Sequence, residues 1–451
     1  MWAKTQQNGI QLMKYWNSLI KKSIALMLAM QGVVVSQEII HVNVKDIEVP
    51  VIFEQSTSLP IVSMQLVFGA AGSIQDGAHP GLARFSATLL NEGTKSLGAV
   101  GFAKELEQRA ISLSVHAGTE TLVFELGSLK ESFEYGLQKL QALINEPNLT
   151  KGSFEKVRTM TLGSLSRKMN DYDYVAGVAL NGLLYEGTSL ANPALGTPES
   201  IQKLTLEKVS EYINTSLDLS NAIVVIGGDI SESEAIKYAT EVLNHLKIGS
   251  SRKLLHVKPT SAAKSLILDK PSEQAYIYFG SPFEMDANDP DQYKARVAAF
   301  ILGESGFGSR LMEEIRVKRG LAYSAYGRVS INRSSSKFSG YLQTKNANKT
   351  DAIKIIKEVI ADFVKNGATK EELDQAKRFL LGSEPLRTET LSQRLSRAFM
   401  EYYRGFESGY YAKQLTLIEE LDLKTLNKFI ASHPELNDLS IAVVTDVNAS
   451  Q

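Results

Sequence analysis

The stretch Gly81-Leu-Ala-Arg-Phe-Ser-Ala-Thr-Leu-Leu-Asn-Glu-Gly-Thr94 reads as a short apolar helix over residues 81–91. Arg84 and Thr88 stand one turn apart on it, with Ala87 beside them. Side chains at i and i+4 project from the same helix face, and that spacing is what two imidazoles need to grip zinc. The residues present cannot do so. Arginine is always protonated and has no acceptor, threonine is a poor ligand, and alanine carries no base. The rest of the chain offers no substitute. Its six histidines (His41, His79, His116, His245, His256 and His433) never fall in His-x-x-x-His spacing, and there is no cysteine. Lone histidines of this kind read as surface or hydrogen-bonded side chains rather than a metal set.

Composition narrows the class further. A chain of 451 residues is too long for one core and fits two domains. Hydrophobic content of 43% and charged content of 22% are ordinary for a globular protein. A net charge of −1 argues against a nucleic-acid partner. Without cysteine there is neither a disulfide nor thiol catalysis. At the amino terminus Lys14, Lys21 and Lys22 precede an almost wholly apolar run at 23–35, followed by Ser36 and Gln37. That order predicts a secretory signal peptide over 1–36, a periplasmic or secreted protein, and no stable membrane span after cleavage. An uncleaved anchor is the alternative, and Met13 is a second candidate start.

The two halves repeat one order of elements. An alternating strand ending in glycine occurs at 62–69 and again at 274–280, each followed by an apolar helix, at 81–91 and 291–302. Paired helices come next, at 132–143 with 154–168 and at 351–364 with 371–381, sharing Leu-Gly-Ser at 162–164 and 381–383. Each half closes on an apolar strand ending in Asp229 or Asp446. Gly367 reads as a helix C-terminal glycine, and Thr369 with Glu372 as a capping box opening the next helix. The polar stretch 249–264 lacks helical periodicity and reads as a linker. It divides the chain into 37–248 and 265–451. Strands mixed with paired helices, without regular βαβ alternation, indicate an α+β domain used twice.

The opening stretch resembles the segment Gly-Leu-Ala-His-x-x-Glu-His-x-x-x-x-Gly-Thr of the M16 (insulinase or pitrilysin) zinc metallopeptidases. A second stretch, Leu302-Gly-Glu-Ser-Gly-Phe-Gly-Ser-Arg-Leu-Met-Glu-Glu-Ile-Arg-Val-Lys-Arg-Gly-Leu-Ala-Tyr-Ser324, is similar to the Gly-rich, Ser-Arg-Leu…Glu-Ile-Arg…Gly-Leu-Ala-Tyr-Ser run of that family's second domain. The resemblance covers about residues 38–449. It implies two homologous domains, each a mostly antiparallel sheet covered by helices. It places the family's two zinc histidines and general-base glutamate at Arg84, Thr88 and Ala87, and its third ligand at or beside Ser164. The one acid on that later helix is Glu155, more than two turns away. No metal is therefore expected on this chain.

The same resemblance implies that Arg316 and Tyr323 reach the substrate opposite the metal. A fixed fork of donors and one hydroxyl suit a scissile carbonyl and the oxyanion that develops from it. A surface arginine and a core tyrosine are the plain alternative. Gly303, Gly306 and Gly308 are implied to form a substrate-contacting loop, or equally a simple helix-to-helix turn. A phosphate loop is weak, since no Gly-Lys-Ser/Thr follows. Family members of this plan pair two-domain subunits, one with His-x-x-Glu-His and one with the arginine and tyrosine. The expectation is a non-catalytic subunit of a heterodimeric peptidase, with zinc on the partner and unfolded peptides as substrate. The alternative is an inert peptide-binding or scaffold protein. An autonomous peptidase fits poorly with the missing ligands.

Overall fold

The computed structural model describes residues 38–448. The signal segment and both candidate starts lie outside the described residues. The described residues form one compact unit containing two sheets. The first holds β1 (Glu38–Val44), β2 (Ile47–Gln55), β3 (Ile61–Gly69), β4 (Ser112–Ala117), β5 (Thr121–Leu129) and β6 (Ala222–Gly228), in the order β1-β2-β6-β3-β5-β4. The second holds β7 (Ser265–Asp269), β8 (Gln274–Pro282), β9 (Ala322–Ile331), β10 (Ser336–Lys345) and β11 (Ser440–Thr445), in the order β7-β11-β8-β10-β9. One parallel pair occurs in each, β2 with β6 and β7 with β11; all other pairs are antiparallel. The two orders superimpose when β1 is set aside. This is the mostly antiparallel, helix-covered α+β unit used twice.

The last strand of each half is buried along its whole length, β6 as Ala-Ile-Val-Val-Ile-Gly-Gly and β11 as Ser-Ile-Ala-Val-Val-Thr. A strand reads as a continuous apolar run when both of its faces are covered. In β6, Val224 and Ile226 join the first half's core, while Ile223 and Val225 meet Leu395, Ala398 and Tyr403. Those three residues belong to helix Leu391–Arg404 or its last turn, in the second half of the sequence. In β11, Ile441 and Val443 face the second core, while Ala442 and Val444 meet Leu180, Leu184, Val175 and Ala176. These come from helix Tyr172–Leu184, in the first half. Each half thus covers the other half's sheet with a helix. Gly227 and Gly280 allow the approach: a Cβ there would lie 3.0 Å from Leu395 and 3.2 Å from Leu184.

Residues 249–264 contain no helix or strand, yet they are pinned along their course. Arg252 binds Asp218 Oδ2 at 2.6 Å and the Ala70 and Ser216 carbonyls at 3.1 Å. Val257 N–H donates to Ser334 O at 2.7 Å and Thr260 N–H to Leu184 O at 2.8 Å. The capping box of Thr369 and Glu372 is formed, and Gly367 closes the preceding helix with φ 71°.

Candidate functional site

Helix Leu82–Leu90 begins at Gly81, whose φ of 92° is left-handed, and where a Cβ would come within 2.9 Å of Gly196. Asp76 fixes its first turn, accepting from Gly81 N–H at 2.9 Å and Ala83 N–H at 2.8 Å. Burial pushes the Asp76 carboxyl up to about 7, against the pull of those two amides. At the other end Asn91 bonds the backbone of Val115 in both directions, at 2.7 and 2.8 Å, tying the helix to edge strand β4.

The degenerate metal positions occupy different surroundings. Arg84 is exposed, whereas Ala87 is 2% exposed and packed into the first core. Thr88 donates to the Arg84 carbonyl at 2.9 Å, spending its hydroxyl on its own helix. Ser164 lies half-buried on helix Lys151–Lys168, which packs on the degenerate helix through Phe154 against Phe85, ring centroids 5.2 Å apart. Among the described residues no group of three or more histidine, cysteine, aspartate or glutamate side chains stands where it could hold a metal. The chemistry of the donor set does not fit zinc at this helix.

Arg316 and Tyr323 come together in the second half. Arg316 sits in a π-helical turn, Glu313–Val317, and Gly320, with φ 61°, lets the chain reverse into β9. The pairing of β9 with β10 is regular from Ile331 down to Ala325 opposite Leu342, then resumes with Ala322 opposite Thr344. Two residues of β9, Tyr323 and Ser324, therefore oppose Gln343 alone. Strict alternation counted back from buried Ala325 would aim Tyr323 at the core; the bulge turns it outward. It is 82% exposed. The Arg316 guanidinium lies 4.5 Å from the Tyr323 ring centroid and 4.6 Å from that of Phe307. Arg316 and Tyr323 edge a cavity of about 470 Å³ with Gln274 and Gln343.

The three glycines play separate parts. Gly303 belongs to a second π-helical turn, Phe300–Glu304, and a Cβ there would come within 2.7 Å of the Gly327 backbone. Gly306 and Gly308 take φ 67° and 88° and form the turn that carries Phe307 over Arg316. Phe307 was visible in the sequence between two glycines, but nothing local aims it at an arginine. Asp76 and the bulge were likewise missed. An aspartate five residues ahead of a helix is no cap signal, and a bulge depends on the partner strand.

Two arginines of the same stretch contrast sharply. Arg310 is fully engaged, with Glu372 at 2.6 and 2.9 Å, Gly367 O at 2.6 Å and Asp362 at 3.1 Å. The Arg316 guanidinium and the Tyr323 hydroxyl make no hydrogen bond among the described residues. Arg310 anchors the turn; Arg316 is held by rings with its donors free.

Profiles of two families match the chain: "Insulinase (Peptidase family M16)" over residues 50–198 and "Peptidase M16 inactive domain" over residues 203–380. The sequence is 42% identical over 406 residues to "Non-peptidase homolog YmxG" of Helicobacter pylori, covering 90% of this chain and 94% of the other. It is 24% identical to an uncharacterized zinc protease of Mycobacterium leprae, covering 85% and 87%. Among solved structures, a peptidase M16 inactive domain from Pseudomonas fluorescens superposes with a TM-score of 0.83 at 24% identity, over 90% of this chain and 97% of that one. A protease from Helicobacter pylori superposes with a TM-score of 0.80 at 16% identity, over 91% and 100%.

Proposed function

Because the chain belongs to the insulinase (M16) peptidase family and is a catalytically inert member of it, we infer that it is the non-catalytic subunit of a two-chain zinc peptidase. The partner carries His-x-x-Glu-His and the zinc, which activates the attacking water. This chain supplies Arg316 and Tyr323 in trans, where guanidinium and hydroxyl bind the scissile carbonyl of an unfolded peptide and stabilise the developing oxyanion. The observation that carries the reading is the free state of those two groups. The bulge, the tight turn and Phe307 bring them side by side, and among the described residues neither donor group is bonded to an acceptor. Free donors placed side by side are what stabilisation of a developing oxyanion requires. The basic-then-apolar amino terminus supports work in the periplasm or outside the cell.

A second reading, an inert peptide-binding scaffold, draws on the relative named a non-peptidase homolog and on Arg84 standing where a ligand would be. One experiment separates the two. The chain is mixed with a His-x-x-Glu-His subunit of the same genome, and assembly and peptide cleavage are followed together. A one-to-one complex should form and cleave. Tyr323→Phe and Arg316→Ala should each lower kcat by about 100- to 1000-fold with assembly intact. Arg316→Lys should fail as well, since one ammonium cannot reproduce the planar fork. Variants that assemble and cleave at the unmodified rate would leave the scaffold reading in place.

A further inference from the structure

Arg84 lines a second, larger cavity, of about 700 Å³, that lies between the two halves. Its wall on one side is the face of the second sheet left open where helix Tyr172–Leu184 stops covering it. Register places three tyrosines side by side there, Tyr326 opposite Tyr341 and Tyr341 opposite Tyr278. Their ring centroids are 5.8 and 5.5 Å apart. Further along the same face Arg328 opposes Ser339, and Lys337 opposes Ser330. Arg84 approaches from the first half, so three cations line the cavity, and no aspartate or glutamate does.

Among the described residues no carboxylate lies within ion-pair distance of Arg84, Arg328 or Lys337. Lys337 donates to Asn181 Oδ1 at 2.7 Å and stands 5.3 Å from the Tyr185 ring centroid, both neutral partners. Burial, with Arg328 nearby, pushes its ammonium down to about 8. The acids around the rim keep their charge but stand outside the lining. Asp173 accepts from Tyr278 at 3.2 Å and from Gln343 at 2.7 Å, and Glu120 accepts from the Ser334 amide at 2.7 Å. Glu304 faces Arg328 and Tyr326 from outside the lining. Arg84 and Arg328 are exposed, while Lys337 is half-buried, and a half-buried cation without a counter-charge is costly unless an anion arrives from elsewhere. The volume falls within the range of ligand pockets, with aromatic walls and a few converging polar groups.

We propose that this cavity binds an acidic peptide segment, its carboxylates on Arg84, Arg328 and Lys337 and its backbone and apolar parts on the Tyr326–Tyr341–Tyr278 face. The test needs only the isolated chain, so its outcome is separate from that of the two-subunit reading. Isothermal titration would use an acetylated tetrapeptide of alternating glutamate and alanine, with glutamine–alanine and lysine–alanine peptides beside it. The glutamate peptide should bind with one site per chain, roughly tenfold or more above the glutamine peptide and more weakly as salt rises. Lys337→Met and Arg328→Gln should each weaken it at least about fivefold. Should a variant fail to fold, the unaltered protein still decides. Lys337 should react readily with an amine acylating reagent at pH 8, and the glutamate peptide should protect it, read by peptide mass spectrometry. Equal binding of glutamate and glutamine peptides, no binding at millimolar concentration, or unprotected Lys337 would overturn the proposal.

Discussion

Ala87 shows how completely the metal site has been given up. A general base in that position needs room and a polar neighbour, and here a methyl group fills the gap against the first core with 2% exposure. The substitutions Arg84→His, Ala87→Glu and Thr88→His together should therefore fail twice. The introduced carboxylate would be buried without a partner, at a cost of order 1–3 kcal/mol or more. The third-ligand position also remains Ser164. Elemental analysis should find well under about one zinc per chain, and urea melting should show a less stable fold. Stoichiometric zinc at unchanged stability would contradict this account.

Asp76 sets a pH dependence at the same helix. Its folded-state carboxyl is raised to about 7 from an unfolded value of 3.8, so between those values the folded chain holds the proton more tightly than the unfolded one. Its contribution to stability is full below 3.8 and is lost as pH rises through about 7. Asp76→Asn cannot titrate and keeps one acceptor for two amides. The variant should be about 1 kcal/mol less stable at pH 5, and its stability should fall less steeply between pH 4 and 7. Urea melts across that range measure both slopes; parallel slopes would show that Asp76 does not titrate there.

At the scale of elements, the segment from Gln292 to Ile331 works as one device. Two π-helical turns, a left-handed turn and a β-bulge follow one another, and each departs from the regular element beside it. Irregular turns of this kind cost stability and recur at functional sites. Gly303→Ala tests the coupling. The added carbon would meet the Gly327 backbone at 2.7 Å, and neither backbone can yield without moving its element. The substitution should cost about 1–3 kcal/mol. If the proposed two-subunit peptidase assembles, the substitution should lower its kcat as well, because Phe307 and Arg316 shift with the turn. Thermal melting and steady-state rates check the two effects, and an unchanged melting temperature would remove the close-approach argument.

At the scale of the whole molecule, the exchanged helices make the two halves depend on each other. Leu395 closes the first sheet from the second half, and Leu180 closes the second sheet from the first. The ion pair of half-buried Arg394 with buried Glu54, at 2.6 Å, ties the same join. Leu395→Ala or Leu180→Ala should each cost about 2–5 kcal/mol. Urea unfolding should remain a single transition by circular dichroism and tyrosine fluorescence, since removing either exchanged helix exposes the apolar outer face of the other half's last strand. Two resolved transitions would mean that the halves fold independently.

The sequence alone determined what rests on local chemistry. Arg84, Ala87 and Thr88 fail as metal ligands wherever the helix is placed, because their donor atoms are wrong. The Thr369–Glu372 box and the Gly367 stop act within a few residues and formed as read. The repeated order of strands and helices, with the extended match at 302–324, carried the family and the duplicated α+β fold. Only the tertiary structure decided which helix covers which sheet, because an apolar helix face specifies burial but not its partner. It alone turned Tyr323 outward, since a bulge is a mismatch between two strands and neither strand records it. It also gathered Arg84, Arg328 and Lys337 around one cavity. Charges hundreds of residues apart become a site only when the fold brings them together without their counter-ions.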